Sequence, residues 1–345
     1  FLYMETPSTY GHVSGLSIYD RPSPDFDPLT EWRDQIQRRL HLLEPLTRRL
    51  RNVPFNLDHP FWIEDPDFDL DFHVRHTAVP PPGSDEQVAE IISRIIGRPL
   101  DRTRPLWEGY VITGLEDGKA AYYSKIHHAA IDGISGAEIL ETLLDITVEP
   151  REVDAGEHFV PRTMPSRLDL VRRGLTAAAL DPVELVRTVP RSLSYLDELP
   201  GASNFPGAGL VSGAAGFVSR VLGGGQHVGH RDLHAPRTPF NGRITPHRRF
   251  AYGSVPLSDV KLVKNHFDMT VNDVVMTLTA SALRRWLLDH DALPETPLVV
   301  AVPVSVKTHD QRGELGNHVS VMTAELPTHL ADPHERLVFM RAAMN

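Results

Sequence analysis

The residues of this chain best suited to chemistry are two adjacent histidines, His127 and His128, which are followed by Asp132 and Gly133. A neutral imidazole can take a proton from a hydroxyl group near neutral pH, which makes the oxygen a competent nucleophile. A carboxylate can orient the imidazole or hold the loop that carries it. Glycine permits a backbone conformation or a close approach that a side chain would block. The pattern is therefore typical of general-base chemistry, with His128 as the candidate base.

Two other interpretations of these residues remain open. A histidine pair at the end of a strand can be purely structural, with both rings satisfied inside the fold. A metal site built from His127, His128 and Asp132 is less favoured, because adjacent residues on a strand point to opposite faces and no second group of ligands follows. We therefore expect no metal.

The sequence around the motif predicts the elements that position it. Ala120–Ser124 is rich in aromatic residues and predicts a strand. Ile134–Ile146 has apolar residues at helical spacing, and Ser135 with Glu138 forms a capping-box pattern at its start. The histidines are thus predicted at a junction between a strand and a helix.

Hydrophobic periodicity in the rest of the chain alternates between the strand and helix patterns, which favours an α/β fold. The predicted helices are 32–50 with a break near Pro45, 85–96, 258–267, 270–290 and 334–345. The predicted strands are 68–79, 107–113, 120–126, 248–256 and 298–306. Residues 151–237 are rich in proline, glycine and arginine and predict a largely helical connection between domains at 1–150 and 238–345. The last helix reaches the end of the chain without a stop signal, so we expect the second domain to be incomplete.

Composition excludes several classes of protein. The net charge of -10, from 35 basic and 45 acidic residues, argues against nucleic-acid binding. The absence of cysteine excludes disulfides, thiol catalysis and cysteine–zinc sites. Because the sequence shows neither a secretory signal nor an apolar run near the roughly 20 residues that span a bilayer, we expect a soluble, cytoplasmic protein. The small apolar segment Gly209–Gly225 is either a packed linker helix or a lipid-facing element, which leaves peripheral contact with a membrane or lipid droplet open.

The histidine motif resembles the His-His-x-x-x-Asp-Gly signature of the coenzyme A-dependent acyltransferase superfamily, which includes chloramphenicol acetyltransferase and peptide-synthetase condensation domains. More narrowly, the chain resembles the bacterial wax ester synthase/diacylglycerol acyltransferase family through several separated motifs in the expected order. These are Phe1–Glu5 with Gly11–Val13, Pro105-Leu106-Trp107, Thr238–Gly242 with Arg248–Ala251, Val271–Val275, and Pro303–Val306 with Leu315–Asn317. Lys307 stands where many relatives are expected to have arginine, so an ion pair from this position is not assumed.

The resemblance implies two chloramphenicol-acetyltransferase-like domains, each a mixed sheet flanked by helices, with an active-site tunnel between them. It implies transfer of a long-chain acyl group from acyl-coenzyme A to diacylglycerol, a fatty alcohol or both, without a further cofactor. His128 would be the general base, His127 would pack or assist, Asp132 would hold the loop, and Asn272 would donate to the oxyanion. Gly133 and Pro105-Leu106-Trp107 would contribute to substrate binding.

Two rival functions remain. A condensation-domain-like acyltransferase shares the double histidine but acts on carrier-bound thioesters. A non-catalytic relative or fragment would bind acyl-coenzyme A or lipid without turnover.

Overall fold

The structure is a computed structural model that describes residues 1–53, 59–131, 139–147, 149, 151–153, 169, 235–305 and 319–344. These residues form two compact units. The first unit contains the described residues up to 169 together with Thr245–Ala251, and the second contains 235–244, 252–305 and 319–344. Each unit combines helices with a β-sheet, so the predicted α/β class is confirmed.

The first unit contains a mixed sheet. The strands of this unit, which belong to that sheet and to a separate pair, are β1 (His12–Tyr19), β2 (Arg48–Arg51), β3 (Phe61–Glu64), β4 (Val74–Ala78), β5 (Trp107–Thr113) and β6 (Ala120–His127). Its helices are α1 (Pro28–Arg39), α2 (Glu44–Thr47), α3 (Leu70–His73) and α4 (Asp85–Ile96), and residues 139–143 are also helical. Within the described residues, four strands pair in the order β1-β6-β5-β4, with only the β4–β5 pair parallel, while β2 and β3 pair with each other.

The β5–β6 hairpin brings the histidine motif to the end of the sheet. Both of its strands were predicted and are confirmed, and they pair antiparallel with Tyr110 opposite Tyr123 at the centre. Gly114 begins the connection at a φ of 82°, and a Cβ there would lie 2.6 Å from the carbonyl oxygen of Val79. Glycine suits both the conformation and the close approach of Val79, so this position of the turn requires it.

One face of this sheet packs against α1 and the helical residues after the motif. The core on this face consists of fully or nearly fully buried apolar side chains from the strands, from α2 and from both of these helical segments. They include Ile36, Leu46, Trp107, Tyr122, Ile139 and Leu143. Burial of these side chains is the main force that holds the helices over the motif end of the sheet.

The second unit contains three α-helices and a strand pair in the described residues. The helices are α5 (Leu257–His266), α6 (Val271–Asp289) and α7 (Pro333–Ala343), and β7 (Leu298–Ser305) pairs antiparallel with β8 (Val319–Leu326). A reciprocal capping pair starts α6: the Thr270 hydroxyl accepts from the Asp273 N–H, and the Asp273 carboxylate accepts from the Thr270 N–H. None of the helices in the described ranges has the length and apolar character that a bilayer crossing requires.

The long helix predicted over 32–50 is wrong beyond Arg39. The chain passes through a 3-10 turn at Leu40–Leu42 and the short helix α2, and residues from Arg48 onward join β3 as a strand. The predicted break near Pro45 is confirmed. Proline has no N–H to donate and clashes with the preceding turn, so the first helix cannot continue through it.

Two predicted strands are also wrong in part or in full. Residues 68–79 alternate polar and apolar like a strand, but Asp69 accepts a hydrogen bond from the Asp71 N–H and starts α3, so β4 begins only at Val74. Residues 248–256 form no strand. Instead, Arg248 donates to the Ser8 carbonyl at 2.6 Å, and the Phe250 N–H donates to Ser93 Oγ at 2.9 Å.

Candidate active site

The two motif histidines occupy opposite faces of β6. His127 is the last residue of the strand and is almost completely buried, with 1% of its surface exposed. His128 follows it, is half-buried, and lines a pocket together with the alternate residues Tyr122, Ser124 and Ile126. The alternation of side chains along a strand separates the two imidazoles, so they cannot act as two ligands of one metal in this arrangement.

Backbone hydrogen bonds fix the position of both histidines. The His127 N–H donates to the Leu106 carbonyl at 2.9 Å, and the His128 N–H donates to the Gly11 carbonyl at 2.7 Å. The Ala130 N–H closes a turn onto the His127 carbonyl at 2.9 Å. Segments from three parts of the chain therefore meet at the motif.

The Pro105-Leu106-Trp107 motif contributes structure to this site, and one of its side chains lines the pocket. Pro105 and Leu106 are buried and lie outside the pocket lining, whereas the Trp107 ring is part of it. The Trp107 Nε1–H donates to the Leu46 carbonyl at 2.7 Å, and its ring stacks on His73 with centroids 4.6 Å apart. The hydrogen bond and the stacking contact together fix the orientation of the Trp107 ring in the pocket lining.

The pocket beside His128 has a volume of about 430 Å³ and is mostly apolar. Its deep part is formed by buried side chains of α1, the segment after it, β5 and the residues after the motif, among them Ile36, Leu46, Trp107, Ile131, Ile139 and Leu143. Its exposed edge is formed by Val13, Ser14 and Gly15 of β1. Among the described residues that line it, His128 is the one histidine, lysine, arginine or carboxylate. An imidazole therefore stands against a space suited to an apolar chain.

A buried cation holds the helical wall of this pocket. Arg39, of which 2% is exposed, donates to the carbonyls of Thr142 and Leu143 at 2.9 Å each and pairs with Asp145 at 2.6 Å. The Gln35 side-chain amide adds a bond to the Leu143 carbonyl at 2.8 Å. These donors satisfy carbonyls at the C-terminal end of the helical segment, where a positive charge is favourable.

The face of the sheet opposite the pocket carries a network of charged side chains. Glu5, with 15% of its side chain exposed, lies 3.2 Å from His127 Nε2 and accepts from the Gly11 N–H at 2.7 Å and from Arg102. Burial by itself would raise the pKa of Glu5, but the contacts with His127, Gly11 and Arg102 outweigh it and hold the pKa at about 2. Glu5 is therefore a carboxylate throughout the range in which the protein would work.

Two further residues on this face are structural. Burial, together with the nearby positive charge of Lys125, lowers the pKa of His12 to about 4, so His12 is neutral near pH 7. Its Nε2 lies 3.0 Å from the Ile96 carbonyl oxygen. The completely buried Lys125 donates to the carbonyls of Ile95 and Arg98 at 3.2 and 2.6 Å, and thus ties β6 to the end of α4.

Three predicted site residues remain, and the structure describes one of them, Asn272. Asp132 and Gly133 fall outside the described residues, as does the predicted Ser135/Glu138 capping pair. Asn272 is the second residue of α6 in the second unit, and its side chain is exposed. In the first turn of a helix the backbone N–H groups lack intrahelical acceptors, so Asn272 sits among available donors.

Several residues of the site were not predicted. Glu5, Gly11 and Arg102 join the motif only through long-range contacts, and Arg39 carries no local signal that separates it from the other arginines of its helix. The quoted opening segment Phe1–Glu5 with Gly11–Val13 does contain two of these residues. In the structure β1 begins at His12, and Phe1–Glu5 lies before it and contains a turn.

Comparison with known proteins identifies the family. Residues 1–275 match the family model described as the wax ester synthase/diacylglycerol acyltransferase catalytic domain. The chain belongs to this family. The predicted resemblance is therefore confirmed, and a catalytic domain of the wax ester synthase/diacylglycerol acyltransferase family covers both the histidine motif and the start of α6.

Individual relatives agree with this assignment. A Mycobacterium tuberculosis (strain H37Rv) protein named "Putative diacyglycerol O-acyltransferase Rv1760" is 35% identical over 98% of this chain, and the chain spans 63% of that relative's length. A second protein of that strain, "Putative diacyglycerol O-acyltransferase Rv3740c", is 34% identical over the whole chain, which spans 71% of it.

Solved structures show the same fold. The wax ester synthase/diacylglycerol acyltransferase from Marinobacter aquaeolei VT8 is 29% identical, with a TM-score of 0.64 over 100% of this chain and 69% of its own. The first condensation domain of the calcium-dependent antibiotic synthetase is 15% identical, with a TM-score of 0.50 over 98% of this chain and 70% of its own. The second match shows that the fold is shared beyond the wax ester synthase/diacylglycerol acyltransferase family.

Proposed function

We propose that this protein is an acyl-coenzyme A-dependent O-acyltransferase in which His128 is the general base. It transfers a long-chain acyl group to diacylglycerol, which gives triacylglycerol, or to a fatty alcohol, which gives a wax ester. Family membership supports the reaction class. The observation that carries the proposal is the position of His128 against an apolar pocket of about 430 Å³.

The reaction proceeds by direct attack in a ternary complex. His128 takes the proton from the acceptor hydroxyl while the oxygen attacks the thioester carbonyl carbon. The tetrahedral intermediate then collapses, the carbon–sulfur bond breaks, and the coenzyme A thiolate takes the proton back from the imidazolium. The products are an ester and free coenzyme A. No covalent acyl-enzyme is required, so no nucleophilic serine or cysteine is needed.

The apolar pocket supports a substrate that carries a long hydrocarbon chain. An acyl or alkyl chain buried against Ile36, Leu46 and Ile139 gains about 0.8 kcal/mol for each methylene removed from water. His128 lies in the lining of the same pocket, so a chain bound there would place a reactive end near the imidazole. A polar acceptor with no chain would gain none of this energy.

Three further residues complete the proposed site. Asn272 would donate to the developing oxyanion from the first turn of α6, where such donors are effective. Asp132 would hold the loop after the histidines, and Gly133 would allow the substrate to approach. The lipid acceptor implies contact with a membrane surface or lipid droplet during the catalytic cycle.

The test is release of free coenzyme A from palmitoyl-coenzyme A, with diacylglycerol or hexadecanol as acceptor. The proposal expects release that depends on the acceptor and is abolished in His128→Ala. The matched control is His41→Ala, which removes an exposed histidine of the first unit outside the pocket and should behave as the wild type.

Each other outcome selects a different function. Full activity of His128→Ala would reject the general-base role. Binding of acyl-coenzyme A without turnover would identify a lipid-binding relative. Turnover only with carrier-bound thioesters and amine acceptors would identify a condensation-type enzyme.

A further inference from the structure

A carboxylate from the start of the chain reaches the motif on the face opposite the pocket. Glu5 Oε1 accepts from the Gly11 N–H at 2.7 Å and lies 3.2 Å from His127 Nε2. Arg102 contacts the other carboxylate oxygen and also donates to the Leu2 carbonyl at 2.7 Å. Glu5 is therefore held in place from two sides and presents one oxygen to the buried imidazole.

The surroundings of the His127 ring determine which nitrogen carries the proton. The Ala129 N–H donates to His127 Nδ1 at 2.9 Å, so Nδ1 must be an unprotonated acceptor. A neutral imidazole with a free Nδ1 carries its proton on Nε2, the nitrogen that faces Glu5. The negative charge of Glu5 favours this tautomer, because it attracts the Nε2–H group and would repel an Nε2 lone pair.

The orientation of the His127 ring is transmitted to His128. The hydrogen bond from the Ala129 N–H to His127 Nδ1 fixes the backbone on the C-terminal side of His128. The His128 N–H is fixed at the same time by the Gly11 carbonyl at 2.7 Å, and the Phe1 ring stacks on the His128 ring with centroids 4.3 Å apart. A Cβ on Gly11 would lie 2.8 Å from His127 Nε2, so the His127 ring has no space to move toward Gly11.

We propose that Glu5 is a positioning residue that fixes the tautomer and orientation of the His127 ring and, through the Ala129 N–H, the loop that carries His128. This role rests on the proposed function of His128 as the base. It differs from a purely structural ion pair with Arg102, because it requires the state of the His127 ring to depend on Glu5. A general base displaced by about 1 Å can lose about a hundredfold in rate, so the effect is large enough to measure.

The experiment compares Glu5→Ala, Glu5→Gln and the control Glu90→Gln in the full chain. Glu90 is an exposed carboxylate of α4 that forms an ion pair with Arg94 on the same helix. For each protein, kcat and KM are measured at a temperature at which circular dichroism shows it folded. NMR of protein labelled with ¹⁵N-histidine reports the protonated nitrogen of each ring. The signal of His127 among the 18 histidines is assigned by its loss in His127→Asn.

The expected result is a loss of about a hundredfold in kcat for Glu5→Ala with little change in KM, and loss of the pure Nε2–H tautomer at His127. Glu5→Gln should recover most of both, because its amide oxygen can still accept from Gly11 and face His127 Nε2. Glu90→Gln should match the wild type.

Two results overturn the proposal. A folded Glu5→Ala variant with unchanged kcat, or an unchanged His127 tautomer in that variant, removes the positioning role. His128→Ala measured in parallel separates this failure from that of the proposed function. If His128→Ala is inactive while Glu5→Ala is unchanged, only the role of Glu5 is wrong. If His128→Ala stays active, the general-base role is wrong as well, and the tautomer alone decides what Glu5 does.

Discussion

Shortening Ile36 in the lining of the pocket should shift the chain-length preference of the proposed acyltransferase toward longer chains. Ile36 on α1 is completely buried and lines the pocket beside His128. The substitution Ile36→Ala removes three carbon atoms and opens that space to the substrate. Each additional methylene accommodated is worth about 0.8 kcal/mol, so two to three of them amount to about 2 kcal/mol. We therefore expect kcat/KM for long chains relative to short ones to rise by about thirtyfold.

The matched control for this prediction is Ile92→Ala. Ile92 is also an isoleucine with 0% exposure in a helix of 12 residues, α4, but it does not line the pocket. Both substitutions should lower the free energy of unfolding by about 2–5 kcal/mol, because each deletes buried carbon atoms and leaves a cavity. Only Ile36→Ala should alter the chain-length profile.

The assay is coenzyme A release over a series of acyl-coenzyme A thioesters and, separately, a series of alcohols, with urea unfolding of each variant. Whichever series shifts identifies the chain that occupies the pocket. If the two variants lose equal stability and show the same profile in both series as the wild type, the pocket does not bind a substrate chain and the reasoning is refuted.

Two other predictions concern charge and the oxyanion. The folded-state pKa of Glu5, about 2 against an ordinary 4.5, means that its carboxylate stabilises the fold above pH 4.5 and that this contribution is lost as the pH falls toward 2. The free energy of unfolding of the wild type should therefore exceed that of Glu5→Gln by at most about 3 kcal/mol at pH 7, and the two should converge near pH 2; a gap independent of pH would contradict the linkage. Asn272→Ala should lower kcat by about 10²–10³-fold with little change in KM. The control Asn265→Ala, an exposed residue of α5, should not, and equal kcat values for both variants would exclude Asn272 as an oxyanion donor.

Elements with strong local signals could be predicted from the sequence. The predicted bounds of α4 agree with the structure, because Gln87 accepts from the Ser84 N–H at 2.9 Å and Gly97 follows the last turn. Both strands of the β5–β6 hairpin were also predicted, because each is a run of apolar and aromatic residues. Caps and turns are made by neighbours in the chain, so the sequence contains all that is needed to find them.

Elements that depend on distant partners were predicted poorly. The residues from Arg48 onward look helical but form a strand, because β3 supplies hydrogen bonds that a helix would otherwise provide internally. Residues 248–256 have the pattern of a strand. In the structure, however, the Arg248 side chain donates to the Ser8 carbonyl and the Phe250 N–H donates to Ser93 Oγ. Local propensity is a weak preference that tertiary contacts override.

The sequence by itself determined that two histidines lie at the end of a strand and therefore face its opposite sides. It also determined the family, through short motifs whose residue types are sufficient to recognise it. Only the tertiary structure decided which histidine faces the apolar pocket, and that Glu5 and Gly11 fasten the other. The physical reason is that a strand fixes the alternation of side chains from its own backbone, whereas the environment of each face is created by segments that the fold brings from elsewhere in the chain.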